Sequence, residues 1–310
     1  MNLFLIKRIL FLPFILVVFY TSHAQKTTQK DLITSGITKA KLGNYREAIK
    51  DFDKAVALDS SEAEPYYNRG IARSELKDYD GAISDFSMVI KLKPAYPEPY
   101  YNRGLARDYM KDYMGAIRDY NIAISLKADY YDAYHNSGLA KFDLGNYGEA
   151  IKDFSRALGY KPDFAEAFYN RGLCLFNLHD LAGAIKDFNE AIKLDTTQFE
   201  YYASRGAARA AGQEYDDAVT DFLVALSINK EDLNSRMNLA LAYLYLKRYM
   251  EAIAEYDQLI YSNPADAEAF ANRGVAWHYL AEKDAACEDW RMASSFGSEK
   301  AKNYLLKFCE

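Results

Sequence analysis

Six asparagines recur at one position of a 34-residue sequence period, and their side chains are well suited to bind another molecule. A carboxamide carries hydrogen-bond donors and an acceptor in one plane, so it can pair with a peptide unit. A tyrosine or a histidine precedes four of these asparagines. The candidate peptide-binding residues are Asn68, Asn102, Asn136, Asn170, Asn238 and Asn272, together with Tyr67, Tyr101, His135 and Tyr169.

The spacing of the asparagines matches an extended polypeptide. Neighbouring helices pack about 8 to 10 Å apart, and an extended chain rises about 3.3 Å per residue. Successive asparagines can therefore meet every third peptide unit, and we predict that they bind an extended segment of a partner protein. The alternative is that each amide bonds a neighbouring helix or loop and fixes the scaffold, and the residues alone support both interpretations.

The sequence lacks the patterns that catalysis, metal binding or phosphate binding require. Its four histidines are scattered without metal-ligand spacing. No serine or cysteine stands in a nucleophile motif, and the recurring glycines lie at helical positions rather than in a phosphate loop. We therefore predict no enzyme activity, no metal and no cofactor. A net charge of −6 also argues against nucleic acid as a partner.

Each 34-residue period contains two amphipathic helices. In residues 63–96, small and apolar residues recur at spacings of three and four on both sides of a short turn, which predicts a helical hairpin. In five repeats an asparagine or aspartate precedes the second helix and can accept from an unpaired backbone N–H. These residues are Asn44, Asp78, Asp112, Asn146 and Asp180. Glu47 and Glu149 follow the two asparagines by three residues, as in a capping box.

A small residue in each first helix predicts close packing of the two helices. A glycine inside a helix costs roughly 1 kcal/mol relative to alanine, so its recurrence indicates a compensating contact. The small residues are Gly36, Gly70, Gly104, Gly138, Gly172, Gly206, Ala240 and Gly274. We expect them to face the second-helix alanines Ala48, Ala82, Ala116, Ala150, Ala184, Ala218, Ala252 and Ala286. The asparagines lie about 160° around the helix from the glycine, so they should face a groove.

Two charged series are predicted to form ion pairs between helices. Arginine follows the asparagine in four repeats and Ser204, at the same position, in a fifth, and an acid precedes the aromatic residue of every second helix. Arginine bonds a carboxylate in bidentate fashion, which suits partly buried positions. The arginines are Arg69, Arg103, Arg171, Arg205 and Arg273, and the acids are Asp51, Asp85, Asp119, Asp153, Asp187, Asp221, Glu255 and Asp289.

The glycine, alanine, aromatic and turn positions resemble the tetratricopeptide repeat (TPR), a 34-residue helix-turn-helix motif. The resemblance implies an all-α fold, a right-handed α-solenoid (superhelix) of eight repeats, whose first helices line a concave groove that binds other proteins. The repeats are predicted at 29–62, 63–96, 97–130, 131–164, 165–198, 199–232, 233–266 and 267–297. Residues 298–310 are predicted to form a capping helix, which Ser298 would cap at its start.

Residues 1–24 read as a signal peptide, and residues 25–28 as a short segment before the first repeat. Lys7 and Arg8 precede a charge-free, largely apolar run, and small residues surround a cleavage point after Ala24. We therefore expect an exported protein, periplasmic or otherwise associated with the envelope of a Gram-negative bacterium, without an integral membrane span after cleavage. The alternative is that the segment is retained as a membrane anchor.

Three cysteines cannot form a complete disulfide framework. Cys174 lies on the predicted buried face of its helix and serves as a small apolar residue. Cys287 lies at a core position, and Cys309 lies on a terminal helix that can fold back towards it. One bridge between these two is compatible with an oxidising compartment, and the sequence leaves their pairing open.

The sequence thus favours a non-enzymatic protein-interaction module, or scaffold, that binds an extended polypeptide in a concave groove. The alternative is a structural adaptor of a cell-envelope complex that docks a folded partner on its outer faces. A third hypothesis, a helper subunit of an enzyme on another chain, has less support. The partner is a protein or peptide in each case, and the sequence does not define the oligomeric state.

Overall fold

The computed structural model describes residues 28–309, and every regular element in that range is an α-helix. The predicted signal peptide and residues 25–27 lie outside the described residues. The helices belong to two compact units, which divide after Tyr160. Each unit is a stack of antiparallel helix pairs, as the all-α solenoid prediction requires.

The first unit contains four helix pairs. Within this unit, from α2 to α8, each helix packs against the next, and the first helices α3, α5 and α7 of successive pairs also touch one another. The helices are α1 (28–41), α2 (Tyr45–Leu58), α3 (Ala63–Glu75), α4 (Tyr79–Leu92), α5 (Pro97–Tyr109), α6 (Tyr113–Leu126), α7 (Tyr131–Asp143) and α8 (Tyr147–Tyr160).

The second unit contains four further pairs and a final helix, packed in the same way. Its helices are α9 (Ala165–Asn177), α10 (Leu181–Leu194), α11 (Phe199–Ala211), α12 (Tyr215–Ile228), α13 (Leu233–Tyr245), α14 (Tyr249–Ser262), α15 (Ala267–Tyr279), α16 (Lys283–Ser295) and α17 (Glu299–Phe308).

The glycines of the first helices lie nearest to aromatic rings, which the packing prediction did not name, and at Gly274 a Cβ would also lie 3.2 Å from the carbonyl oxygen of the predicted Ala286. A Cβ at Gly104 would lie 2.6 Å from a ring carbon of Tyr120, sixteen residues later. The same overlap arises at Gly36, Gly70, Gly138, Gly172 and Gly206. The second-helix alanines are fully buried, but the ring beside them covers the glycine.

Three predicted N-caps form, and one does not. The carboxylates of Asp78, Asp112 and Asp180 accept from the backbone N–H three residues later, which in each case belongs to a glycine. A Cβ at any of these glycines would overlap the capping carboxylate. Asn44 makes no side-chain cap bond.

The predicted ion pairs between helices are confirmed. Arg103 donates from Nε and Nη2 to the two oxygens of Asp119, at 2.9 and 2.7 Å, and Asp119 is only 1% exposed. Arg107 adds a bond of 2.7 Å from Nη1. The equivalent pairs are Arg69–Asp85, Arg171–Asp187, Arg205–Asp221 and Arg273–Asp289. These contacts join the two helices of one repeat and leave the arginines little freedom to contact a partner.

Helix α17 covers the last aromatic residue of the second unit. Ser298 Oγ accepts from the backbone N–H of Ala301 and caps this helix, as predicted. Tyr304 and Phe308 pack on Trp290 with ring centroids 5.0 and 5.7 Å apart. A disulfide joins Cys287 to Cys309 and ties α17 to α16, which settles the pairing that the sequence left open. Cys174 is free and buried.

Candidate functional site

The predicted asparagines lie on the first helix of their repeats, and two of them bond a tyrosine of the preceding repeat. Asn102 Nδ2 donates to the Tyr67 hydroxyl oxygen at 3.0 Å. Asn136 Nδ2 donates to the Tyr101 hydroxyl oxygen at 2.8 Å. These bonds connect successive first helices, so both amides contribute to the scaffold.

The second unit repeats this contact with a serine. The hydroxyls of Tyr169 and Ser204 are 3.3 Å apart, and Ser204 stands at the asparagine position of its repeat. The bond therefore needs only a short polar side chain one repeat after the tyrosine. Asn170 holds the corresponding place on α9.

The remaining asparagines have different surroundings. Asn68 Nδ2 donates to the carbonyl oxygen of Glu64, one turn earlier in its own helix. Asn272 is only 3% exposed, and its Oδ1 accepts from Lys300 of α17 at 3.2 Å. Helix α17 thus shields Asn272 from a ligand. Asn238 is half-buried and lines an open cleft.

The predicted aromatic residues are half-buried and pack between repeats. Tyr67, Tyr101, His135 and Tyr169 each approach the aromatic ring of their own second helix, with centroids 5.5 to 6.0 Å apart. Burial raises the pKa of Tyr67 and of Tyr101 to about 12, so both phenols stay protonated. They act as spacers between repeats, with their hydroxyl ends in hydrogen bonds.

The Asn136–Tyr101 pair keeps one acceptor and one donor for a further molecule. Asn136 uses an amide N–H on the tyrosine, and no other side-chain hydrogen bond of either group occurs within residues 28–309. The amide Oδ1 can still accept, and the phenol O–H can still donate. This is the complement of a peptide unit, which donates through N–H and accepts through its carbonyl oxygen.

A cleft lined by an asparagine and two stacked tyrosines occurs at the same repeat position in both units. We call the two sites the tyrosine clefts. The cleft of the first unit has a volume of about 510 Å³ and is lined by Ile71, Ser74, Glu75, Lys77, Tyr79, Phe86, Asn102, Leu105, Ala106 and Tyr109. The cleft of the second unit has about 220 Å³ and is lined by Ala207, Ala210, Tyr215, Phe222, Asn238, Leu241, Ala242 and Tyr245.

The stacked tyrosines of these clefts were missed by sequence reasoning. Tyr79 and Tyr109 have centroids 5.1 Å apart and an interplanar angle of 7°. Tyr215 and Tyr245 are 4.8 Å apart at 8°. Tyr109 and Tyr245 are 70% and 62% exposed, so each offers a ring face and edge to solvent. The signal was a spacing of 30 residues between the two tyrosines, which recurs at the stacked pair Tyr249–Tyr279.

Another cleft of the first unit contains the predicted residues Tyr67 and Asn68. It has a volume of about 700 Å³ and lies between α3 and the end of α4. Lys93, Pro94 and Tyr96 form its far side. The cleft is mixed in polarity, and it adjoins the Tyr67 hydroxyl to which Asn102 donates.

Within the described part of the chain, no group of histidine, cysteine and acidic side chains is arranged to hold a metal ion. Among the helices of residues 28–309, none has both the length and the hydropathy that crossing a bilayer requires. The stacked helix pairs and repeated clefts instead define an all-α repeat protein of the solenoid class.

Sequence profiles identify the family. Profiles described as tetratricopeptide repeat match residues 63–96, 135–199 and 237–290, and one described as TPR repeat matches residues 38–77. The chain belongs to the tetratricopeptide-repeat family. This family is generally a non-enzymatic protein-interaction fold whose members bind protein or peptide partners. No curated protein matches the sequence significantly.

Solved structures share the fold. The crystal structure of MamA is 25% identical, covers 52% of this chain and 94% of MamA, and has a TM-score of 0.51. YrrB, described as a TPR protein with an unusual peptide-binding site, is 20% identical, with 59% and 95% covered and a TM-score of 0.53. A tetratricopeptide repeat protein from Parabacteroides merdae is 20% identical, with 81% and 100% covered and a TM-score of 0.58.

Proposed function

We propose that this chain is a non-enzymatic scaffold that binds an extended polypeptide segment along the first-helix face of its repeats. The observation that carries the proposal is the recurrence of the tyrosine cleft in both units, each time with an asparagine beside two stacked rings. A cleft that repeats with the scaffold suits a ligand that also repeats, and an extended polypeptide presents one side chain and one peptide unit at regular intervals.

The chemistry of the clefts fits such a segment. Exposed tyrosine rings supply contact area at a low cost in conformational entropy, and the Asn136–Tyr101 pair complements a peptide unit. A face held by buried ion pairs also loses little further freedom on binding. YrrB, which has the same fold, is described as having a peptide-binding site. We take the partner to be a protein rather than a nucleic acid, because the chain is acidic.

We place the protein outside the cytoplasm, in the periplasm or elsewhere in the envelope of a Gram-negative bacterium. The signal-peptide pattern of residues 1–24 supports export. The Cys287–Cys309 bond is consistent with this location, because disulfides persist mainly in oxidising compartments. Pulse-labelling of the precursor tests this part, since an exported chain is shortened at about residue 24.

Alanine variants of three exposed tyrosines test the binding face. A peptide is selected on the immobilised protein from a displayed random library, and its affinity is measured by fluorescence anisotropy. Tyr109→Ala or Tyr245→Ala, according to the unit that holds the peptide, should weaken binding about tenfold, because stacking on an aromatic ring is lost. Tyr261→Ala is the matched control, since Tyr261 is 86% exposed and lies outside the clefts.

The expected result is a loss of affinity in at least one cleft variant, with unchanged melting temperature in all three variants. Wild-type affinity in both cleft variants, or the largest loss in Tyr261→Ala, would contradict binding through the tyrosine clefts.

A second candidate function is a structural adaptor that docks a folded partner on its second helices. The bonds from Asn102 and Asn136 to tyrosines favour it, because they give these amides a role within the scaffold. The second helices also expose Met114, Leu223 and Met250, each about half accessible. Glutamate at Met114 or Met250 should abolish capture of such a partner and leave peptide affinity unchanged.

A further inference from the structure

A cavity beside the ion pair of the last repeat lies between α15 and α16. It has a volume of about 490 Å³, and its lining includes Arg273 and Trp277 of α15 and Ala285, Glu288 and Asp289 of α16. We call it the Trp277 cavity. Asp289 accepts from Nε and Nη2 of Arg273 at 2.8 and 2.7 Å. None of these residues lines a tyrosine cleft, so the cavity is a separate site.

In five other repeats, a basic residue at the position of Trp277 bonds the carboxylate of the second helix. Arg107 donates to Asp119 Oδ2 at 2.7 Å, in addition to the two bonds from Arg103. The five basic residues are Lys39, Arg73, Arg107, Lys141 and Arg209. The last repeat has an indole in their place. Within residues 28–309, Asp289 therefore has one basic partner where Asp119 has two.

The backbone position that binds this second arginine is also present in the cavity. Arg73 Nη1 donates to the carbonyl oxygen of Gly81 at 3.2 Å, and Arg107 Nη1 donates to that of Gly115 at 3.4 Å. Ala285 holds the corresponding position of the last repeat and lines the cavity. The cavity is therefore lined by the carboxylate and the backbone position that hold a guanidinium in two other repeats.

The Trp277 cavity is acidic. The carboxylates of Asp257, Glu288 and Asp289 line it, against the one guanidinium of Arg273. Glu288 is exposed and forms no ion pair in the described part of the chain. Its repeat position holds no acid elsewhere: the other seven residues are Lys50, Ser84, Arg118, Lys152, Lys186, Thr220 and Ala254. The last repeat thus has an indole in place of a base and one additional acid, so its cavity attracts a cation.

The Asp289 carboxylate is accessible from this cavity. Its side chain is 6% exposed, whereas those of Asp85, Asp119 and Asp221, which have two arginines each, are 1 or 2% exposed. Burial raises the pKa of Asp289 even though Arg273 is bonded to it. A second cation would therefore stabilise the charged form of this carboxylate.

We propose that the Trp277 cavity binds the guanidinium group of an arginine side chain from a partner protein. A guanidinium presents N–H donors in a planar fork that suits a carboxylate, and its face stacks on an indole. Exposed Met292 adds an apolar rim that suits the aliphatic part of the side chain. The two repeats that use lysine have serine in place of the first arginine, so the presence of Arg273 favours arginine. This site goes beyond the proposed polypeptide binding.

A small guanidinium ion tests the cavity without any partner. The full-length protein, which has two tryptophans, is labelled with 5-fluorotryptophan. n-Butylguanidinium chloride is titrated at pH 7.5 while ¹⁹F spectra are recorded, and the Trp277 resonance is identified by its loss in Trp277→Phe. We expect this resonance to shift to saturation with butylguanidinium and not with n-butylurea, its neutral counterpart, at equal concentration. Absence of a saturable shift, or an equal shift with butylurea, would overturn the proposal.

Two variants and a matched control test the lining, with binding followed by saturation-transfer NMR of the butylguanidinium. Glu288→Gln should weaken the affinity about fivefold, because the attraction of an unpaired carboxylate is lost. Trp277→Arg should abolish binding, since its own guanidinium takes the place that Arg107 takes in its repeat. Asp284→Asn is the control and should have no effect, because Asp284 is exposed on α16 and lies outside the cavity. Wild-type affinity in Glu288→Gln or in Trp277→Arg would overturn the proposal.

A displayed peptide library then assigns the guanidinium to a polypeptide. Peptides are selected on the immobilised wild-type protein and depleted on immobilised Trp277→Arg. We expect the retained peptides to contain arginine, and replacement of that arginine by citrulline, its neutral counterpart, should lower affinity about tenfold. Affinity that is retained with citrulline or with lysine would overturn the assignment to arginine. Binding of butylguanidinium without enrichment of any such peptide would overturn the assignment to a protein partner.

The two proposals fail in different ways. Tyr245→Ala should leave butylguanidinium binding unchanged, because Tyr245 does not line the Trp277 cavity. If butylguanidinium does not bind while Tyr109→Ala impairs peptide binding, the arginine site is refuted and the proposed function is supported. If arginine peptides depend on Glu288 while both cleft variants keep wild-type affinity for every selected peptide, the arginine site is supported and binding through the tyrosine clefts is refuted.

Discussion

Replacement of Asp108 by asparagine should stabilise the protein at neutral pH. The pKa of Asp108 is raised from 3.8 to about 6, mainly because burial disfavours the charged form. The folded state therefore holds this proton more tightly than the unfolded state does. The stability that comes from this group is complete below about pH 4 and is lost as the pH rises towards 6.

The size of the stabilisation by Asp108→Asn follows from the pKa shift of Asp108. About two pKa units correspond to about 3 kcal/mol of unfolding free energy, and partial solvent access to Asp108 reduces this to about 2 kcal/mol. The substituted carboxamide is never charged, so Asp108→Asn should be more stable than wild type by about 2 kcal/mol at pH 7.5. The difference should shrink towards zero as the pH falls from 6 to 4.

Urea unfolding followed by circular dichroism at pH 4, 5, 6 and 7.5 measures this difference. Asp129→Asn is the matched control, because Asp129 is exposed in a turn and its removal should have no comparable pH dependence. A difference between Asp108→Asn and wild type that stays constant over this range would refute the assignment of a raised pKa to Asp108.

Two further substitutions and the loss of the disulfide test the packing of the chain. Arg103→Met should destabilise the protein by about 3 kcal/mol, because it leaves a buried carboxylate with one arginine fewer, and peptide affinity should not change. Gly104→Ala should lower stability by about 1 to 3 kcal/mol through overlap with an aromatic ring. Gly148→Ala is its matched control and should be neutral or slightly stabilising, since nothing lies within 4 Å of the new Cβ. Loss of the Cys287–Cys309 bond, which closes 22 residues, should lower stability by about 3 kcal/mol. Urea or thermal unfolding measures each change, and a stabilised Gly104→Ala would contradict the packing.

The helices and the ion pairs could be predicted from the sequence because they depend on local periodicity. The spacing of sixteen residues between Arg103 and Asp119 recurs in four other repeats, and a recurring charge pair at buried positions has few alternative partners. The contact between each first-helix glycine and the aromatic ring of the second helix could not be predicted from the sequence. Helical periodicity gives the direction of Gly104, but it does not show how far the Tyr120 ring reaches across the interface.

The candidate site was predicted only in part. The period identified Asn102 and Tyr67, whereas their hydrogen bond depends on the offset between successive first helices, which sequence spacing does not define. The stacking of Tyr79 on Tyr109 joins the start of a second helix to the end of the next first helix. Asp108 carried no signal in the sequence, because its raised pKa arises from burial among α5, α6 and α7.

The central claim is that a polypeptide segment occupies the clefts of the first-helix face, and covalent footprinting of tyrosines tests it most directly. The protein is labelled with a tyrosine-selective reagent with and without a saturating selected peptide. The modified residues are then quantified by mass spectrometry. We expect the peptide to protect Tyr109 or Tyr245 and to leave Tyr261 equally reactive. Protection of Tyr261, with both cleft tyrosines equally labelled in the two samples, would contradict the claim.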